Sequence, residues 1–172
     1  MQELLLHILP LAAVLGYLLA TFGYITALRQ RGETSLRLPR RSGIFGCICH
    51  ALFLVVVASS SDVSAVQLFF ELPATLSLIA VLVLVLFFLL ERRKRISGLG
   101  VVVAPLALVL MLWSSVAFHL HRSDNAEADI TSLLLFHWSA MVIGFSLLVF
   151  AFAVSVGVIV HETSMKRRRF TL

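Results

Sequence analysis

Apolar residues fall into five long blocks separated by short polar segments: Leu4 to Leu28, Gly43 to Ser60, Leu72 to Leu90, Ile96 to Phe118 and Leu133 to Val160. Each is close to or beyond the roughly 20 helical residues that cross a hydrocarbon layer. In lipid the backbone must satisfy its own hydrogen bonds. Unbroken runs of Leu, Val, Ala and Phe therefore read as helices, and not as the alternating strands of an outer-membrane barrel. The pattern predicts an all-α membrane protein, a single domain over 1–172 built as a bundle of five transmembrane helices. A shorter amphipathic helix is expected over 62–72, where Val63, Val66 and Phe70 recur at helical spacing ahead of Pro73. It would lie in the outer interface, either roofing a groove or simply leading into the third span.

Composition agrees with the pattern. Of 172 residues, 60% are apolar and 13% are charged, with a mean hydropathy of +1.02. A soluble domain carries roughly a quarter charged residues, so a soluble enzyme is excluded. The first block has Glu3 and no Lys or Arg ahead of it, and no small-residue cleavage site follows a short apolar core. It is expected to remain as a helix and not to be removed as a signal peptide.

The cations set the orientation. Arg29, Arg31, Arg37, Arg40 and Arg41 separate the first two blocks, Arg92, Arg93, Lys94 and Arg95 separate the third and fourth, and Lys166 to Arg169 follow the fifth. Thirteen of the fourteen cations thus share one side, with Arg122 alone on the other. The positive-inside rule makes the crowded side cytoplasmic, with the amino terminus outside and the carboxyl terminus inside. This is the layout of a multi-pass protein of a bacterial cytoplasmic (inner) membrane. The net charge of +5 reads as topology signal and contact with anionic lipid, and not as nucleic-acid binding. The outer loop His119 to Ser132 is too short to be a catalytic domain, and no phosphate loop, zincin pair or acyl-transfer triad occurs, so no enzymatic activity is expected.

Cys47 and Cys49, two apart on a helix, point to nearly opposite sides and cannot pair with each other. They read as small apolar residues, and no metal site is expected. Gly43, Gly46, Gly98, Gly100 and Gly144 are candidate points of close helix approach. Trp113 and Trp138 fit an aromatic belt.

The six histidines carry the chemistry, because an ionisable group at membrane depth is costly. His50 lies seven residues beyond Gly43, about 10 Å into the hydrocarbon, and no acid shares its span. Burial favours its neutral ring. It needs either a hydrogen-bond partner on another helix or a metal, and both readings are open. His7, His119, His121 and His137 collect at the outer face, and His161 lies at the cytoplasmic end of the fifth span. Imidazole is a common axial ligand of haem iron, so haem-iron ligation joins ordinary interfacial placement as a reading of the outer group. His119 and His121, two apart, diverge on a regular helix and would not hold one ion together.

Several segments, CHALFL at Cys49 to Leu54, LFFELPATLSLIAVLVLVLFFLLE at Leu68 to Glu91, GLGVVVAPLALVL at Gly98 to Leu110, and LLLFHWSAMVIGFSLLVFAFAVSVGVIVHE at Leu133 to Glu162, resemble in order the spans of the cytochrome c assembly membrane family, the CcsA-like, HemX-like and YpjD-like proteins. The resemblance implies that His50 corresponds to that family's transmembrane histidine and His137 to its outer haem ligand. Trp138 stands where the family has a small aliphatic residue, Gly144 to Ser146 lacks its tyrosine, and about three later spans with a second histidine pair have no counterpart. By resemblance, then, the chain binds or relays haem at the membrane. A further axial ligand would come from His119, His121, a second copy or another cytochrome c assembly protein. Two rival readings are an accessory membrane subunit without a cofactor and, less favoured for want of intramembrane acids, a metal-ion permease.

Overall fold

The computed structural model describes residues 2–30, 36–60, 71–93, 97–120 and 132–169. They form five α-helices: α1 Gln2–Gln30, α2 Arg37–Ser60, α3 Leu72–Arg93, α4 Gly100–Leu120 and α5 Ser132–Arg169. A single 3-10 turn, Ser97–Leu99, precedes α4. Within these helices, Leu4–Ala27, Arg37–Ser59, Leu72–Arg92 and Ser132–Ile159 are long and apolar enough to cross a membrane. The apolar stretch of α4, Gly100–Val116, is shorter. The segment 62–72 falls almost wholly outside the described residues, apart from Glu71 and the first residue of α3.

The elements follow the apolar blocks, but the helices outrun them. The second begins at Arg37, six residues before the apolar block at Gly43, because helical hydrogen bonding does not need apolar side chains. Pro39 is tolerated there because the first-turn N–H groups have no partners in any helix. The fourth begins later than Ile96, with low-propensity Gly98 and Gly100 drawn into and just past the tight turn. Pro10 and Pro105 lie inside α1 and α4, where each removes one backbone donor. At 38 residues, α5 is about 57 Å long against a hydrocarbon thickness of about 30 Å.

α1 packs most extensively on α2, and α3 on α4; α1 also meets α4, and α5 leans chiefly on α3. The α1 side of the first interface is written at a seven-residue period: Ala13, Gly16, Tyr17, Ala20, Tyr24 and Ala27 are all buried. Small residues let the backbones close up. A methyl group on Gly16 would lie 2.8 Å from the Cα of Gly46, and one on Gly46 would meet the Tyr17 ring. Gly43 and Gly100 are likewise close-approach points, against Phe88 and Tyr24. Gly98 and Gly144 are not: open space surrounds the position a side chain would take on either. Gly144 sits on the exposed side of α5, which buries only a narrow strip at Val142, Ser146 and Ala153.

The core between α1, α3 and α4 holds Tyr17, Tyr24, Val83, Leu84, Phe87, Val103, Ala107 and Met111, all essentially without exposure. Large apolar side chains also cover the outside of every helix, among them Leu11, Leu15, Leu19, Phe22, Val109 and Leu148.

Candidate functional site

His50 is completely buried on α2. It lies thirteen residues from the start of that helix, about 20 Å along its axis. Its Nδ1 stands 3.1 Å from the Tyr17 hydroxyl of α1, and its Nε2 stands 2.6 Å from Ser77 Oγ of α3. Tyr17 and Ser77 are buried as well. The Tyr17 and His50 rings meet edge to face, with centroids 5.9 Å apart.

A neutral imidazole has one N–H and one lone pair, whereas a hydroxyl can donate or accept. The chain of three therefore closes in either tautomer. Tyr17 donates to Nδ1 while Nε2–H donates to Ser77, or Ser77 donates to Nε2 while Nδ1–H donates to Tyr17. Both ring nitrogens are engaged in either case. Of the two readings that the sequence left open for His50, the structure displays the interhelical hydrogen bond, made on both edges of the ring.

The tie extends to a fourth helix. Ser114 on α4 donates at 2.7 Å to the carbonyl of Pro73, one turn ahead of Ser77. Tyr17, His50, Ser77, Pro73 and Ser114 thus connect α1 to α4 through buried polar contacts. Cys47 and Cys49 flank His50 as buried free thiols.

A second polar cluster closes one end of the same three helices. Tyr24 donates at 3.2 Å to Glu91 Oε1, and Arg40 Nε lies 3.4 Å from Glu91 Oε2. Oε2 accepts no hydrogen bond among the described residues, so Arg40 holds it through charge alone. Tyr24 packs edge to face on Phe87. Beside this cluster a cavity of about 350 Å³ is lined by Arg37, Arg40, Arg41, Ile44 and Arg92.

The outer histidines are arranged differently. His137 is exposed near the start of α5, beside exposed Leu133 and Phe136. It makes no hydrogen bond among the described residues. His7 is exposed near the start of α1, a helix that shares no substantial interface with α5. The His119 backbone belongs to α4, but its side chain, like that of His161 and the whole of His121, lies outside the described residues. No three His, Cys, Asp or Glu side chains gather as a metal ion would require among the described residues.

Tyr17, Ser77, Tyr24 and Glu91 were not singled out by the sequence reading. A usable signal existed for two of them. The chain has only two tyrosines, and they stand seven residues apart on one face of the first apolar block. A tyrosine hydroxyl buried there needs a partner. Four membrane-length helices with apolar exteriors around buried polar ties define the class of molecule, an all-helical protein proportioned for a bilayer. No protein-family model, no curated protein and no solved structure matches the chain.

Proposed function

We propose that the chain is an integral membrane protein of the cytochrome c assembly type, with all five helices across a bacterial inner membrane and the amino terminus outside. In this reading it binds or relays haem at the outer face through His137. The observation that carries it is the exposed imidazole of His137, which makes no hydrogen bond among the described residues, on an apolar surface formed with Leu133 and Phe136. That setting suits a ligand with an apolar macrocycle and an iron that takes imidazole. Leu-, Val- and Phe-rich exteriors on every helix support lipid as the surrounding solvent, and the one-sided cations support the orientation.

The two family-equivalent histidines fit haem unequally. Among the described residues His137 has no hydrogen bond on either ring nitrogen. His50 has neither, and would have to release Tyr17 or Ser77 first. Haem supplies the iron centre, while the chain supplies one imidazole, an apolar wall and a bundle held in register by His50. A further imidazole for the iron would come from His119, His121 or another chain.

The test is a haem titration of the detergent-purified protein beside its His137→Ala variant. Saturable binding that weakens at least tenfold in the variant is expected. A chain that takes up no haem overturns the reading and leaves the alternative of a cofactor-free accessory subunit. The double hydrogen bonding of His50, a structural use of a fully buried histidine, is the observation that favours this alternative.

A further inference from the structure

The arginine-lined cavity is unrelated to the histidines. It opens between the first turns of α2, which bring Arg37, Arg40 and Arg41, and the last turn of α3, which brings Arg92. Among the described residues Glu91 is the single carboxylate paired with these four guanidinium groups, and it engages only Arg40. Arg37, Arg41 and Arg92 are exposed and have no carboxylate partner among the described residues. Three cations in the opening turns of α2 also sit at the positive end of its dipole, an arrangement that is unfavourable until an anion arrives.

The surface below the cavity says which kind of anion. Phe45, Ile48, Leu52 and Val55 follow Arg41 at intervals of four, three, four and three residues, which keeps them within about 40° of it around α2. All four are about half exposed or more. They form an apolar stripe about 15 Å long under a cationic head, which matches one leaflet's share of a core of about 30 Å. A soluble phosphate would use the arginines and ignore the stripe, whereas a phospholipid uses both.

We propose that this cavity binds the phosphate headgroup of an anionic phospholipid, with its acyl chains along the α2 stripe. A lipid bearing two phosphates matches three free cations better than one bearing a single phosphodiester. A volume of about 350 Å³ is within the range of ordinary small-ligand sites. Arg recognises phosphate oxygens through paired N–H donors. Of the proposed function, the site requires only that the bundle lie in a bilayer; it does not depend on haem.

The experiment is native mass spectrometry of the full-length protein, extracted from membranes and offered equal amounts of diphosphatidylglycerol, phosphatidylglycerol and phosphatidylethanolamine. Preferential retention of diphosphatidylglycerol is expected. Arg41→Gln with Arg92→Gln, which leaves the Arg40–Glu91 pair intact, should weaken retention about thirtyfold, whereas Arg41→Lys with Arg92→Lys should change it less than about threefold. Equal retention of all three lipids overturns the site, as does a glutamine variant that keeps its helical circular dichroism and binds as well as the wild type. If that variant does not fold, the wild-type lipid competition alone decides. Displacement of the lipid by inorganic pyrophosphate at equal concentration assigns the cavity to a soluble anion and overturns the lipid reading. A chain found outside the membrane fraction in the first step fails the membrane reading instead, so the two failures are distinct.

Discussion

A buried histidine is costly unless both ring nitrogens find partners, because in hydrocarbon no water stands ready to replace a missing one. His50 meets that condition with two hydroxyls that adapt to either tautomer, on two different helices. Removing either hydroxyl leaves one ring nitrogen unpaired. Tyr17→Phe and Ser77→Ala are each expected to cost about 0.6 to 1.7 kcal/mol, the range found for interhelical hydrogen bonds in bilayers. His50→Ala should cost more, about 3 kcal/mol, since it leaves two hydroxyls orphaned and a cavity behind. Unfolding in mixed micelles measures all three. A double-mutant cycle of Tyr17→Phe with His50→Ala should show clear coupling, and strict additivity would mean the contact carries no energy.

Helix pairing depends on where small residues place two backbones. Gly16 and Gly46 face each other so closely that a side chain on either meets main-chain atoms or the Tyr17 ring. Gly16→Val is expected to destabilise the α1–α2 pair by about 3 kcal/mol, while Gly144→Ala on the open side of α5 should be neutral or mildly stabilising. Detergent melting curves that shift equally for both would contradict this packing. Three of the five apolar blocks predict their helices to within about four residues, while α2 starts six residues ahead of its block and α5 runs nine residues past Val160. The second and fourth starts shift because Arg37 to Ser42 continue a helix that hydropathy does not register, and Gly98 and Gly100 tighten a turn that it reads as apolar. Close approach was legible at Gly43, Gly46 and Gly100 and not at Gly16 or Gly23, because a glycine in a leucine-rich block gives no local sign of the partner it will face. The need of His50 for a partner was also legible. The identity of its partners was not, since Tyr17 and Ser77 lie 33 and 27 residues away and only the bundle brings them together.

At the scale of the molecule, a polar tie at His50 and another at Glu91 hold α1, α2 and α3 at two levels, while the cations gather toward the Glu91 end. α5 is attached by a narrow strip and presents His137 at its far end. The proposed orientation places Leu38, beside the arginines, in the cytoplasm and Ser132 outside. In a chain with Cys47→Ala and Cys49→Ala, a membrane-impermeant maleimide applied to intact cells should label Ser132→Cys and spare Leu38→Cys. The reverse pattern would invert the topology. The division of labour between the inner and outer histidines is tested most directly by one spectrum, nitrogen-15 NMR of the histidine-labelled protein before and after addition of haem. The account predicts that the His50 ring signals, assigned by their response to Tyr17→Phe and Ser77→Ala, stay in place while the His137 signals shift or broaden away. A His50 ring that responds to haem while His137 does not would contradict it.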